Sequence, residues 1–144
     1  MTENDTTKLL RECDEGLKMG ISSIKDVLPH VRSEALKQRL IDCKTEHETL
    51  STELQQLLLR YGDKGKDPST MASAMSELMT KIKLMIHDSD AEVADLMTEG
   101  CNMGVKSLSK FLNQYPAADG ASKGIARRLI ALEEMLAVDL RGYL

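Results

Sequence analysis

The chain has 144 residues, with 19 Lys and Arg against 23 Asp and Glu and a net charge of −4 at neutral pH. One domain spanning 1–144 is expected, and the acidic balance argues against nucleic acid and anionic membrane surfaces, which are bound by basic stripes. No apolar run approaches the roughly 18 residues of a spanning helix, and Met1 to Thr7 is polar with no apolar segment behind it, so a cytoplasmic protein without a membrane is expected.

Phe111 is the single Phe, Trp is absent, and Leu, Met, Ala, Glu and Lys dominate, which is a helix-former's composition. Leu10, Cys13, Leu17, Gly20 or Ile21, Ile24 and Leu28 recur at helical spacing and predict a first helix over about 5–28, ended by Pro29. Leu36, Leu40, Cys43, His47, Leu50, Leu54, Leu57 and Tyr61 alternate steps of four and three, predicting a second helix over about 34–61 between Ser33 as N-cap and Gly62 as C-cap. Gly62 to Pro68 reads as the flexible connection. Met71, Met75, Leu78, Ile82 and Met85, behind Asp67, Pro68 and Ser69, predict a shorter helix over about 70–86.

Ser89 to Glu92 has capping-box spacing and opens a run through Ala94, Met97, Cys101, Val105, Leu108, Leu112 and Tyr115, a helix over about 90–115. Beyond Pro116, Asp119 and Gly120, the residues Ile125, Leu129, Leu132, Leu136, Leu140 and Tyr143 predict a last helix over about 121–142. No segment of strand length alternates with period two. The architecture expected is all-α: two antiparallel helical hairpins with an additional crossover helix between them. In that topology Gly16 and Gly20 of the first helix lie level with Gly104 and Gly100 of the third long helix, and a close backbone approach is expected there.

The stretches Asp14 to Lys18 (DEGLK), Ser33 to Leu40 (SEALKQRL), Glu53 to Gly62 (ELQQLLLRYG) and Glu99-Gly100 resemble the ferritin-like superfamily. Within it the chain resembles an uncharacterised bacterial four-helix-bundle family, a domain of unknown function, from about Lys8 to Tyr143. The resemblance implies a ferritin-like four-helix bundle. In metal-binding members it also implies a di-iron centre held by Glu on two helices and Glu-x-x-His on the other two. Here His30, His47 and His87 follow Val27, Lys44 and Leu84 at three residues' distance, so no Glu-x-x-His exists.

The expected function is therefore a non-enzymatic structural or protein-interaction bundle with a degenerate metal site, without catalytic residues or cofactor. The alternative is a metal-binding or oxidative-stress protein holding iron or zinc around His47, with Asp14 or Glu15, Glu46 and Glu99 as ligands, with or without Cys43, Cys101 and Cys13. The blander expectation is a core histidine with three reduced, inert thiols. Met71, Met75, Met79, Met85, Met97 and Met103 read as core filler. The pairs Asp14-Glu15, Glu46-Glu48 and Glu133-Glu134 read as solvated surface, since adjacent helical residues diverge. Lys123 with Arg127 and Arg128 forms one basic cluster, read as outer face. Leu58, Leu59, Met79 and Leu84 fall off the main seams, which suggests a homodimer or a protein partner.

Overall fold

The computed structural model describes residues 4–66, 81 and 89–144. Four long helices carry the fold: α1 (Asp5–Val27), α2 (Glu34–Arg60), α3 (Asp90–Gln114) and α4 (Gly120–Leu140). Single 3-10 turns follow α1 at Leu28–His30 and α4 at Arg141–Tyr143. The regular structure of the described residues is entirely helical, and the four helices are compatible with a bundle. Apart from Lys81, which is helical, the helix expected over about 70–86, with Met71, Met75, Met79, Leu84 and Met85, lies outside the described residues, as does His87 after it.

Each helix begins where a short polar side chain satisfies an otherwise unbonded N–H of the first turn. Asn4 Oδ1 accepts from Thr7 N at 2.8 Å, Ser33 Oγ from Leu36 N at 3.2 Å, Ser89 Oγ from Glu92 N at 3.4 Å and Asp119 Oδ1 from Ser122 N at 2.8 Å. Pro29 opens the 3-10 turn that ends α1.

Hydrogen bonds at the two ends set the topology. At one end Ala117 N donates to Asp5 Oδ2 (2.9 Å), Asp119 N to Thr6 Oγ1 (2.8 Å) and Tyr61 Oη to Asp119 Oδ2 (2.7 Å). At the other, Asp90 accepts from Arg32 N (2.8 Å) and Ser33 N (3.1 Å), and Arg39 pairs with Asp139 at 2.6 Å. Helix α1 is thus antiparallel to α2 and α3 and parallel to α4. It packs on all three, whereas α2 and α3 lie diagonally with little contact.

The core divides into two apolar clusters. One, toward the α1–α2 turn, is built on Ile24, Val27, Leu36, Leu40, Met97 and Leu140; the other, toward the opposite end, on Leu10, Leu17, Leu50, Leu54, Leu108 and Leu129. The seam of α2 runs as expected to Leu54 and then shifts. Leu58, expected off the seam, is fully buried, while Tyr61 is 43% exposed and Leu59 76%. A straight helix has 3.6 residues per turn, so a strict 4-3 alternation drifts about 20° per heptad, and by the last turn a second step of four faces the core.

Asp14 and Glu15 correct the reading of that pair as solvated surface, because both are buried. The segment after α2 folds back onto them. Asp14 accepts from Gln55 Nε2 (2.9 Å), Lys66 N (3.0 Å) and the Lys18 ammonium (2.8 Å), while Lys66 Nζ bridges Glu12 (2.8 Å) and Glu15 (3.4 Å) and Arg11 pairs with Asp63 (2.6 Å). Gly65 completes the seat. Its φ is +82°, and a Cβ there would fall on the Asp14 carboxylate and within 3.2 Å of Leu58.

Gly65→Ala is expected to cost about 2–3 kcal/mol in urea denaturation, strain and overlap together. Gly62→Ala, at φ +64° with open space around it, is expected to cost about 1 kcal/mol. Equal losses would show that the Asp14 contact contributes nothing.

Candidate functional site

The four mid-helix glycines do not meet backbone to backbone, which corrects the expected close approach of α1 and α3. Among the described residues a Cβ at Gly100 would find nothing within 4 Å, and one at Gly16 only Leu129 Cδ2 at 3.6 Å. At Gly20 it would lie 2.9 Å from the His47 ring, and at Gly104 it would overlap the Glu133 carboxyl. A spacing of four puts each pair on one helix face, but the two faces look onto a cavity rather than onto each other.

That cavity, about 460 Å³, opens between α1 and α3. Its walls are Gly16, Met19, Gly20 and Ser23 of α1 and Met97, Gly100, Met103, Gly104 and Phe111 of α3, with His47 of α2 and Glu133 and Leu136 of α4 behind them. Such a volume falls in the usual range of small-molecule sites. The missing Cβ atoms act as windows. The imidazole reaches the cavity past Gly20, and the carboxyl reaches it past Gly104.

His47 is buried on the seam of α2, 2% exposed. Its Nδ1 lies 2.8 Å from the Cys43 carbonyl oxygen and 3.5 Å from the Cys43 thiol. A carbonyl only accepts, so Nδ1 carries the proton and Nε2 keeps a bare lone pair. Burial lowers the imidazole below its ordinary value near 6.5, against the Cys43 carbonyl and Glu46, which raise it. The ring is neutral at pH 7.

Glu133 is 8% exposed, and its Oε2 has no hydrogen-bond partner among the described residues. Burial alone pushes the carboxyl up from 4.5 to about 8, so it is a neutral acid at pH 7. This corrects the reading of Glu133-Glu134 as solvated surface; only Glu134 is exposed. An apolar-only scan passes through Leu132, but the buried positions of α4 run Leu129, Glu133, Leu136 and Leu140. The signal was present in the spacing, since Glu133 stands four after Leu129 and three before Leu136.

Of the other candidate ligands, Glu99 and Cys101 line the cavity and Cys43 lies beside His47, while Glu46, Asp14, Glu15 and Cys13 do not line it. Glu46 and Glu99 are exposed, Glu99 pairing with Lys81 at 2.8 Å, and Asp14 and Glu15 serve the segment after α2. Cys13, Cys43 and Cys101 are free and buried, and desolvation lifts their thiols to about 12, 11 and 12, where they stay protonated. Among the described residues no three His, Cys, Asp or Glu side chains are grouped to hold a metal ion. The donor set does not fit the di-iron centre that the ferritin-like resemblance implies.

The model of one family, described as "Domain of unknown function (DUF2383)", matches residues 1–114. The chain belongs to that family. Within this DUF2383 member the matched stretch carries α1, α2 and α3, and with them His47 and all four cavity glycines, while Glu133 stands on α4 beyond it. No curated protein and no solved structure matches the chain.

The raised carboxyl makes the stability of the DUF2383 protein pH-dependent. Unfolded, Glu133 ionises near 4.5, while the native state holds its proton to about 8. Its contribution is therefore fully present below about 4.5, is lost as pH rises to about 8, and changes no further above that. Glu133→Gln is expected to match the parent at pH 4.5 and exceed it by about 2 kcal/mol or more at pH 8, read from urea denaturation. A difference independent of pH would mean that the carboxyl is solvated. His47, whose depressed value costs stability below pH 6.5, is common to both proteins and cancels.

Proposed function

We propose that this protein is a non-enzymatic bundle of ferritin-like architecture that binds a small organic molecule in the cavity between α1 and α3. The single observation that carries the reading is the unpartnered Glu133 carboxyl facing a cavity framed by four glycines. Each glycine costs its helix about 0.5–1 kcal/mol relative to Ala. Among the described residues Gly16 and Gly100 have room for a Cβ, so the packing described does not require their absence of a side chain. A native sequence that gives up helix stability and also buries an unsatisfied acid at one level of its core is spending both on that space.

The ferritin-like label rests on the resemblance of helix sequences and on the two antiparallel hairpins. In this reading the interior that metal-binding relatives furnish with ligands is a binding chamber instead. A carboxylic acid with a raised pKa in a cleft also suits proton transfer. Binding is the better reading, because the thiols beside Glu133 stay protonated.

Filling the cavity tests this. Gly100→Leu places a side chain into open space and improves the helix. It is expected to raise the melting temperature by a few degrees and to abolish binding of n-octanol, followed by calorimetry. Native mass spectrometry of the purified parent is expected to show an organic adduct that the variant lacks. If the parent carries no adduct and takes up no octanol, or if stoichiometric iron or zinc binds in its core, the reading is wrong.

A further inference from the structure

Resting on the binding reading above, we infer that the ligand is an amphipathic amine, whose ammonium group is held between Glu133 and His47 and whose hydrocarbon body lies along the apolar walls. The argument is one of donors and acceptors. His47 has committed its one N–H to the Cys43 carbonyl, so the nitrogen it offers the cavity can only accept. Glu133 Oε2 is a second acceptor and receives no hydrogen bond from any described residue. A ligand group that brings several N–H donors satisfies both, and an ammonium brings three.

The rest of the cavity selects the other half of the molecule. Met19, Leu96, Met97, Leu108, Phe111 and Leu136 present hydrocarbon, thioether and aromatic surface, while Glu12, Lys81, Glu99 and Asn102 also line the cavity. Thioether and unbranched side chains adapt to alkyl bodies of varied shape. Among the described residues the titratable and charged groups around Glu133 are Glu12 from α1, Arg39, Cys43 and His47 from α2, and Glu99 and Cys101 from α3, with Lys81 on the lining; the Arg39 guanidinium is paired with Asp139 and the Lys81 ammonium is engaged by Glu99.

Proton balance follows from the two partners. An alkylamine is an ammonium ion in water at pH 7, near the Lys value of about 10.4. The empty site holds a neutral carboxyl, since burial keeps its proton on to about 8. Binding therefore gives a carboxylate–ammonium pair and releases one proton from Glu133 to solvent, with no bond in the ligand broken. The pair is a charge-assisted hydrogen bond in a poorly solvated site, which is where such bonds are strongest. Affinity rises about tenfold per pH unit up to about pH 7 and levels off above about 8.

The experiment is calorimetric titration of the full chain with n-octylamine and with n-octanol, at pH 6, 7 and 8, in buffers of different ionisation enthalpy. The amine is expected to bind more tightly than the alcohol at pH 8 and to release close to one proton per ligand at pH 7. The alcohol is expected to bind without proton release or pH dependence. Glu133→Gln, which is expected to fold at least as well as the parent, should lower amine affinity tenfold or more, end the proton release and leave octanol unchanged. Glu134→Gln, on the exposed neighbour, should change neither. Equal binding of amine and alcohol without proton release, or an amine affinity unmoved by Glu133→Gln, would overturn the amine inference while leaving the cavity a binding site. Binding of neither probe would overturn both.

Discussion

Helix α1 packs against all three other long helices, and α2 and α3, on the diagonal, hardly touch. Whatever fills the centre of such a bundle must come past α1 or α3, and the side chains those two helices carry at mid-height decide how much space remains. At that height they carry glycine. Two side chains from the helices behind, His47 on α2 and Glu133 on α4, extend into the room so created, and the apolar interior is divided into two clusters above and below them. A bundle built for stability alone would place Leu or Ala at these six positions, since a buried unpaired acid and a mid-helix glycine each reduce stability.

The buried and half-buried carboxylates separate into two kinds by their donors. Asp14 accepts from a side-chain amide, a backbone N–H and an ammonium, and Asp90, at a bundle end, accepts from two consecutive backbone N–H groups. These acids hold segments together, and each is satisfied by the segment it holds. Glu133 is satisfied by nothing described and is aimed into a cavity. Burial is common to Asp14 and Glu133, so burial does not distinguish structural from functional acids here; the presence or absence of donors does.

Helix positions were legible because each one has a capping side chain and a seam of Leu, Cys and Met at helical spacing, and these local signals agree with the tertiary packing. The seam of α2 went astray only in its last turn, where the drift between 3.5 and 3.6 residues per turn had accumulated. Asp14 and Glu133 escape an apolar-only reading for a different reason. A hydrophobic-spacing argument assigns polar residues to the surface by construction, and the partners that let Asp14 be buried, Gln55 and Lys66, are 41 and 52 residues away. The glycines were recognised as costly, but spacing alone cannot tell whether two small faces meet or stand apart.

His47 shows how a single residue can be core and site together. Its Nδ1–H serves the α2 backbone, one turn earlier, which fixes the tautomer and the ring orientation as a second partner does in many functional histidines. Its other nitrogen is left facing the cavity as an acceptor. Together with a protonated Glu133 this gives a chamber that holds two titratable groups and no net charge from either at neutral pH. The apolar clusters can pack around an uncharged layer with little penalty, whereas an imidazolium or a carboxylate there would draw in water or unfold the bundle. At neutral pH the charge appears when something brings a compensating one, and so the same desolvation that lowers the stability of the empty bundle also makes its interior selective.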